Sequence, residues 1–305
     1  MSFAGFLDRD FDAYAPPKRK SNMFNRERLE VKQKLLALAK EVSGALVAAD
    51  GSPLTIEASV EHPALWNHKQ VEAQHVFFSR NEAARKELDG IIDRGKTMAS
   101  LIDDPTPQRN HVFLAVSLDH ERAEIAMKLH PDALVDRQNL ERKLADHFAR
   151  EKLVDLVGRL PAPFTVGKSP APAIAEALLL ETVAELVRPA ATPWTVACAF
   201  PRSEVIAAGA SFLAIAQETL ASLVPIYQFV AWARENDSVQ VREVLQKEKQ
   251  SRRQKGLEKK DEVRFVRGVF VGKVGVVQDI DAKGGVKVIV GKVSVKVAAE
   301  DVVKS

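Results

Sequence analysis

Between residues 263 and 304, valines and glycines recur at a spacing that suits short, closely turned strands. Val286, Val288 and Val290 fall on one face of an extended segment, with Lys287 and Ile289 on the other. Val293, Val295 and Val297 repeat the alternation against Lys292, Ser294 and Lys296. Successive side chains of a strand point to opposite faces, so each run offers one apolar face to a core and one face to water. Gly284 and Gly285 separate the runs where a tight turn needs freedom in φ, and Gly272 and Gly275 bracket a close approach ahead of Val276 and Val277. Four or five such strands would leave two open edges in a flat sheet. Closure into a small barrel removes them. Its core is small, so its stability is expected to lean on the preceding domain.

The chain before this stretch reads differently. Of 305 residues, 46% are hydrophobic and 28% charged, which describes a globular protein with room for one large and one small domain. The net charge of +3 does not mark a nucleic-acid binder, so any basic surface has to be local. Cys198 is the single cysteine and lies in the apolar run 195–200. A disulfide framework is excluded, a reducing compartment fits, and the thiol is expected to be a small buried hydrophobe. Residues 1–8 lack the basic start of a secretory leader. The longest apolar run, near Phe212 to Ala233, is interrupted by Gln217, Glu218 and Gln228. It falls short of the ~18 uninterrupted apolar residues of a bilayer span and reads as a buried helix. The expectation is a cytoplasmic protein with no membrane partner.

Along the chain, Phe3, Phe6, Phe11 and Tyr14 are expected to tuck an irregular arm onto the domain. Asn25 is a candidate cap for a helix with apolar positions Leu29, Leu35, Leu36, Leu38 and Val42. Strands are expected over 54–60, 73–79, 111–118, 122–129 and 193–200, the third and fourth joined as a hairpin. Helices are expected from Asn81 to Ile92, from Asp136 to Leu156, from about Pro172 to Val187, and in the segment ending near Asn236. Ser203 and Ser211 are candidate caps there, and Pro225 should kink or restart the last helix. Residues 1–236 therefore read as an α/β (α+β) domain with a mostly antiparallel sheet flanked by helices. Residues 237–262 read as a charged helical linker, and 263–305 as the barrel. From Lys247 to Lys273 ten Lys or Arg stand against four Asp or Glu, a net of +6. That clustering suits contacts to phosphates and also a solvated tether.

Two resemblances sit on these residues. Gly272-Lys-Val-Gly-Val-Val-Gln-Asp-Ile-Asp281, followed by Gly285-Val-Lys-Val288, resembles a KOW motif. The resemblance covers about residues 263–304 and implies an SH3-like barrel of the kind found in NusG-type transcription factors and ribosome-associated proteins. It implies contact with RNA, a ribosome or an RNA polymerase complex, or a plain protein partner. The barrel has no tyrosine or tryptophan, so stacking on bases is left to Phe265 or Phe270. In the large domain, Phe6-Leu-Asp-Arg-Asp-Phe11, Asn110-His-Val-Phe-Leu-Ala-Val-Ser-Leu118, Ala123-Glu-Ile-Ala-Met-Lys128 and Glu218-Thr-Leu-Ala-Ser-Leu-Val-Pro-Ile-Tyr227 are together similar to the YktB-like family of uncharacterised bacterial proteins. That similarity implies an α/β fold and carries over no catalytic residue.

The sequence offers little chemistry of its own. Phosphate-binding glycine loops and a nucleophile elbow are missing. Glu124 and Lys128 share a strand face, as a nuclease pair or simply as an ion pair. The histidines His62, His68, His75, His111, His120, His130 and His147 make no metal-ligating spacing. Neither a metal nor a cofactor is expected. The candidate ligand pocket is Trp66, His68, Arg80, His111 and Lys128, because polar loops at strand ends commonly carry function. The candidate nucleic-acid contacts are Arg252, Arg253, Lys255, Lys259, Lys260, Arg264, Arg267, Lys273, Lys287, Lys292 and Lys296. The expected function is a non-enzymatic factor docking on RNA or a ribonucleoprotein, with an enzyme or small-molecule binder and a protein-interaction scaffold as the alternatives.

Overall fold

A strand without polar alternation belongs inside a sheet covered on both faces, and all six residues of Phe113–Leu118 are buried. The computed structural model describes residues 2–64, 67–92, 107–161, 163–167, 169–170, 193–238, 259–265, 270–280, 285–291, 293–298 and 301–304. It places this strand, β3, third in a sheet formed with β1 (Thr55–Ala58), β2 (Gln74–Ser79), β4 (Arg122–Leu129), β5 (Thr165–Val166), β6 (Ser169–Pro170) and β7 (Trp194–Pro201). The order is β1-β2-β3-β4-β7-β5-β6, and every pair is antiparallel. The β3–β4 hairpin closes on Asp119, whose Oδ1 accepts the N–H of Glu121 at 2.7 Å and of Arg122 at 2.9 Å.

The helices described are α1 (Asp8–Asp12), α2 (Asn25–Val42), α3 (Glu82–Ile92), α4 (Leu134–Lys143), α5 (His147–Gly158), α6 (Arg202–Ala208) and α7 (Phe212–Val230). One core joins Val76, Phe78, Leu114, Val116, Ile125, Met127 and Val196 of the sheet to Leu35 and Leu38 of α2 and to Leu220, Leu223 and Ile226 of α7. Each such side chain contributes roughly 1.5–3 kcal/mol when fully buried. Cys198 belongs to this core, and burial pushes its thiol up to about 11, with Glu204 adding to the rise. The arm is tucked in as expected: Phe6 meets Phe3 and Phe212 edge-on at 5.1 and 6.0 Å. Gly5, at φ +92°, approaches so closely that a Cβ there would lie 2.5 Å from the carbonyl carbon of Gly209.

Several elements differ from expectation. In α2 the inward position falls to Arg28 rather than Leu29, which is 41% exposed. The guanidinium is buried because backbone carbonyls of the arm receive it, those of Lys18 at 2.6 Å and Ser21 at 3.2 Å. The single helix expected from Asp136 to Leu156 is two, because Asp146 caps a fresh start by accepting the N–H of Phe148. Ser203 lies inside α6, and Ser211 makes no capping bond. Helix α7 runs through Pro225 without a restart. Pro225 and Ala221 are both exposed, so the carbonyl deprived of its N–H partner lies on the wet side of the helix. The segment Arg202–Val230 is long and apolar enough to cross a membrane by length and composition. Gly209, at φ +53°, divides it into α6 and α7. The expected helix from Pro172 to Val187 lies outside the described residues.

The chain divides into two compact units, Met1–Val239 and Gln240–Ser305. The second holds β8 (Glu262–Phe265), β9 (Val274–Ile280), β10 (Gly285–Val290), β11 (Val293–Ala298) and β12 (Val302–Lys304), paired antiparallel in the order β11-β10-β9-β8-β12. Its core is Val263, Phe265, Val277, Val286, Val288 and Val302, with Val290 and Val297 packed against it, so the expected face of β10 is inward while Val293 of β11 is 57% exposed. A Cβ on Gly275 would lie 2.6 Å from Val288 Cγ1 and 2.7 Å from the carbonyl oxygen of Ile289, so only glycine lets β9 lie this close to β10. The protein is thus an α+β body with an antiparallel sheet flanked by helices, plus a separate small antiparallel sheet.

Candidate functional site

In the large unit the register sets a polar row on the sheet face opposite the core. His75 stands opposite Ser117, and Ser117 opposite Glu124. His75 Nδ1 lies 2.6 Å from Ser117 Oγ, and its ring stacks beside Phe77 at 5.6 Å and 19°. Burial holds the imidazole at about 4, helped by the Lys128 ammonium and opposed by Glu124 and Asp119, so it is neutral at neutral pH. Glu124 and Lys128 pair at 2.8 Å. Burial raises the Glu124 carboxyl, but Lys128 and Arg122 outweigh it and bring it below the usual carboxylate range. These two charges satisfy each other, which is the ion-pair reading of that spacing.

His75 and Phe77 also help line a groove of about 790 Å³. Its other wall is the loop between β1 and β2, shaped by Asn67. The Asn67 Oδ1 accepts the N–H of Ala64 at 2.6 Å, and its amide donates to the carbonyl of His62 at 3.0 Å. The next two residues, His68 and Lys69, both stand in the left-handed region at φ 54° and 57°. Such backbone costs a non-glycine residue about 1 kcal/mol or more and concentrates at functional sites. Ser59, Gln70 and Val71 complete the part of the lining nearest the loop.

Of the five expected pocket residues, His68 lines this groove and Trp66 lies outside the described residues. Arg80, His111 and Lys128 do not line it. Arg80 is 3% exposed and donates to Asp136, whose carboxylate also accepts the N–H groups of Trp232 and Val112, each at 2.8 Å. Arg80 donates as well to the Trp232 carbonyl at 3.1 Å. These bonds tie the end of β2 to α4 and to the segment after α7. His111 is 3% exposed, next to Val112. The five therefore share no cleft among those described. His75 and Phe77 were missed as site residues, although the alternation of 74–79 already puts them on one face.

In the small unit, Lys287 and Lys296 face each other directly across β10 and β11. Asp279 stands on the other side of Lys287 and already pairs with Lys259 at 2.8 Å. Arg264, Lys260 and Lys273 are exposed, whereas Arg252, Arg253, Lys255, Arg267 and Lys292 lie outside the described residues. Phe265 is 2% exposed and meets Phe270 at 5.6 Å. Phe265 belongs to the core, Phe270 packs against it partly buried, and the unit's sequence holds no other aromatic residue. Among the described residues, no group of three His, Cys, Asp or Glu side chains is placed to hold a metal ion. No protein-family model and no curated protein matches the chain.

Proposed function

We propose that the protein is a non-enzymatic factor whose C-terminal unit docks it on RNA, free or within a ribosome or RNA polymerase complex, by contacts to phosphates. The observation that carries this reading is the direct opposition of Lys287 and Lys296. The two ammonium groups on one strand pair concentrate positive charge on which a phosphate backbone can lie. Lys259 and the exposed Arg264, Lys260 and Lys273 extend the positive field. The reading goes with a KOW-like, SH3-type barrel. It is supported by the order β11-β10-β9-β8-β12, in which the fifth strand returns beside the first of a four-strand meander, as a small barrel requires. Because Phe265 is in the core and Phe270 is packed against it, recognition falls on the backbone and is tolerant of sequence.

The test is a titration of the full chain with a structured RNA at rising salt. Log affinity should fall with log salt by roughly 0.7–0.9 for each phosphate contacted. Binding that ignores salt, or that survives Lys287→Glu with Lys296→Glu, overturns the reading. A partner retained after nuclease treatment and lost on deleting residues 240–305 transfers the unit to protein docking.

A second reading concerns the body alone. The groove lined by Asn67 and His68 supports a small-molecule binder, because two successive left-handed non-glycine residues, His68 and Lys69, follow Asn67 in its loop. Asn67→Ala should then abolish ligand-induced stabilisation in a thermal screen while leaving the fold intact.

A further inference from the structure

A second cavity of the large unit, of about 560 Å³, lies between α4, α5 and the end of α7 and shares no residue with the groove. Its walls are apolar at Phe148, Leu156 and Pro225, and two lysines, Lys143 and Lys152, line it. Lys143 closes α4, is half-buried, and donates from Nζ to the carbonyl of Phe229 at 2.6 Å, 5.0 Å from the centre of that ring. An ammonium has three donors, and this bond takes one. Phe148 stands at the cavity 76% exposed, a large aromatic ring left in water.

We propose that this cleft binds a small amphipathic carboxylate, its charge between Lys143 and Lys152 and its tail along Leu156, Pro225 and Phe148. The volume is that of a small-ligand site. Two cations on apolar walls form a site that gains from an anion and from apolar surface together. Burial and the Lys152 charge hold the Lys143 ammonium at about 8, while Asp136 on its own helix opposes them. The remaining charged group in the lining is Asp146, which is engaged at the start of α5. A bound carboxylate raises the Lys143 value, so binding takes up a proton and weakens as pH rises through about 8.

The experiment is calorimetric titration of the full chain with octanoate, octanol and octylamine. Octanoate should bind at least about tenfold more tightly than octanol, octylamine should not bind, and octanoate should bind about tenfold more weakly at about pH 9.5 than at about pH 7. Lys152→Met, a change at an exposed residue, should weaken octanoate about tenfold without altering the melting curve. Equal binding of octanoate and octanol, absence of octanoate binding, or an unchanged affinity in Lys152→Met overturns the proposal.

Discussion

Arg80 donates to Asp136 inside the α+β body, where the two side chains are 4% and 0% exposed. Removing one partner leaves the other charge buried. Arg80→Met or Asp136→Asn should therefore cost about 3–5 kcal/mol in urea unfolding. Combining Arg80→Met with Asp136→Asn removes both charges and keeps an acceptor for the N–H groups of Val112 and Trp232, so it should cost less than the sum of the two single changes. A loss below about 1 kcal/mol for Arg80→Met would show that water reaches the pair.

His75 predicts a pH dependence of defined sign. Its imidazole goes from an ordinary 6.5 to about 4 in the folded protein, so the unfolded chain binds more protons between those values. Stability from this group is complete above the ordinary value and is lost as pH falls toward about 4. The urea midpoint should drop over that interval in the wild type, and drop less in His75→Gln, which cannot protonate.

Gly275→Ala should loosen the small unit and spare the large one. The added Cβ meets Val288 and a backbone oxygen of β10, an overpacking worth about 1–3 kcal/mol. The two cores are separate clusters. Hydrogen exchange should accelerate at the amides of Val286–Val290 and stay unchanged in β3 and β4.

Lys287 and Lys296 should each contribute one unit of counterion release if both reach phosphates. Changing both to Gln should reduce the slope of log affinity against log salt by about 2, uniformly across RNA sequences. A loss confined to one RNA sequence would point to base contacts instead.

Strands and their faces were legible because a period of two needs no partner to be read. The pairing of β10 with β11, the inward valines of β10 and the hairpin around Asp119 followed from local pattern alone, whereas Val293 of β11 faces water. What stayed hidden was set by contacts distant in sequence. Leu29 was read as an inward position, but the inward place is taken by Arg28, whose guanidinium is received by carbonyls of residues 13–21 in the arm. Arg80 looked like a ligand contact until Asp136 met it, 56 positions away. Of the four expected pocket residues that are described, His68 alone lines the groove, and its loop is organised locally by Asn67.

The arm has a consequence for the order of assembly. Arg202 grips Asp8 and Asp12 across 194 and 190 positions, and Phe6 rests on Phe212. At about 5–20 residues per second of synthesis, Asp8 and Asp12 precede Arg202 by roughly ten to forty seconds. During that interval the arm has only its nearer partners, with the Phe3 N–H on Glu41 and the Lys34 ammonium on Asp10. Full docking of the arm on the segment from Arg202 to Phe212 is then a late step of folding, which Arg202→Glu should delay.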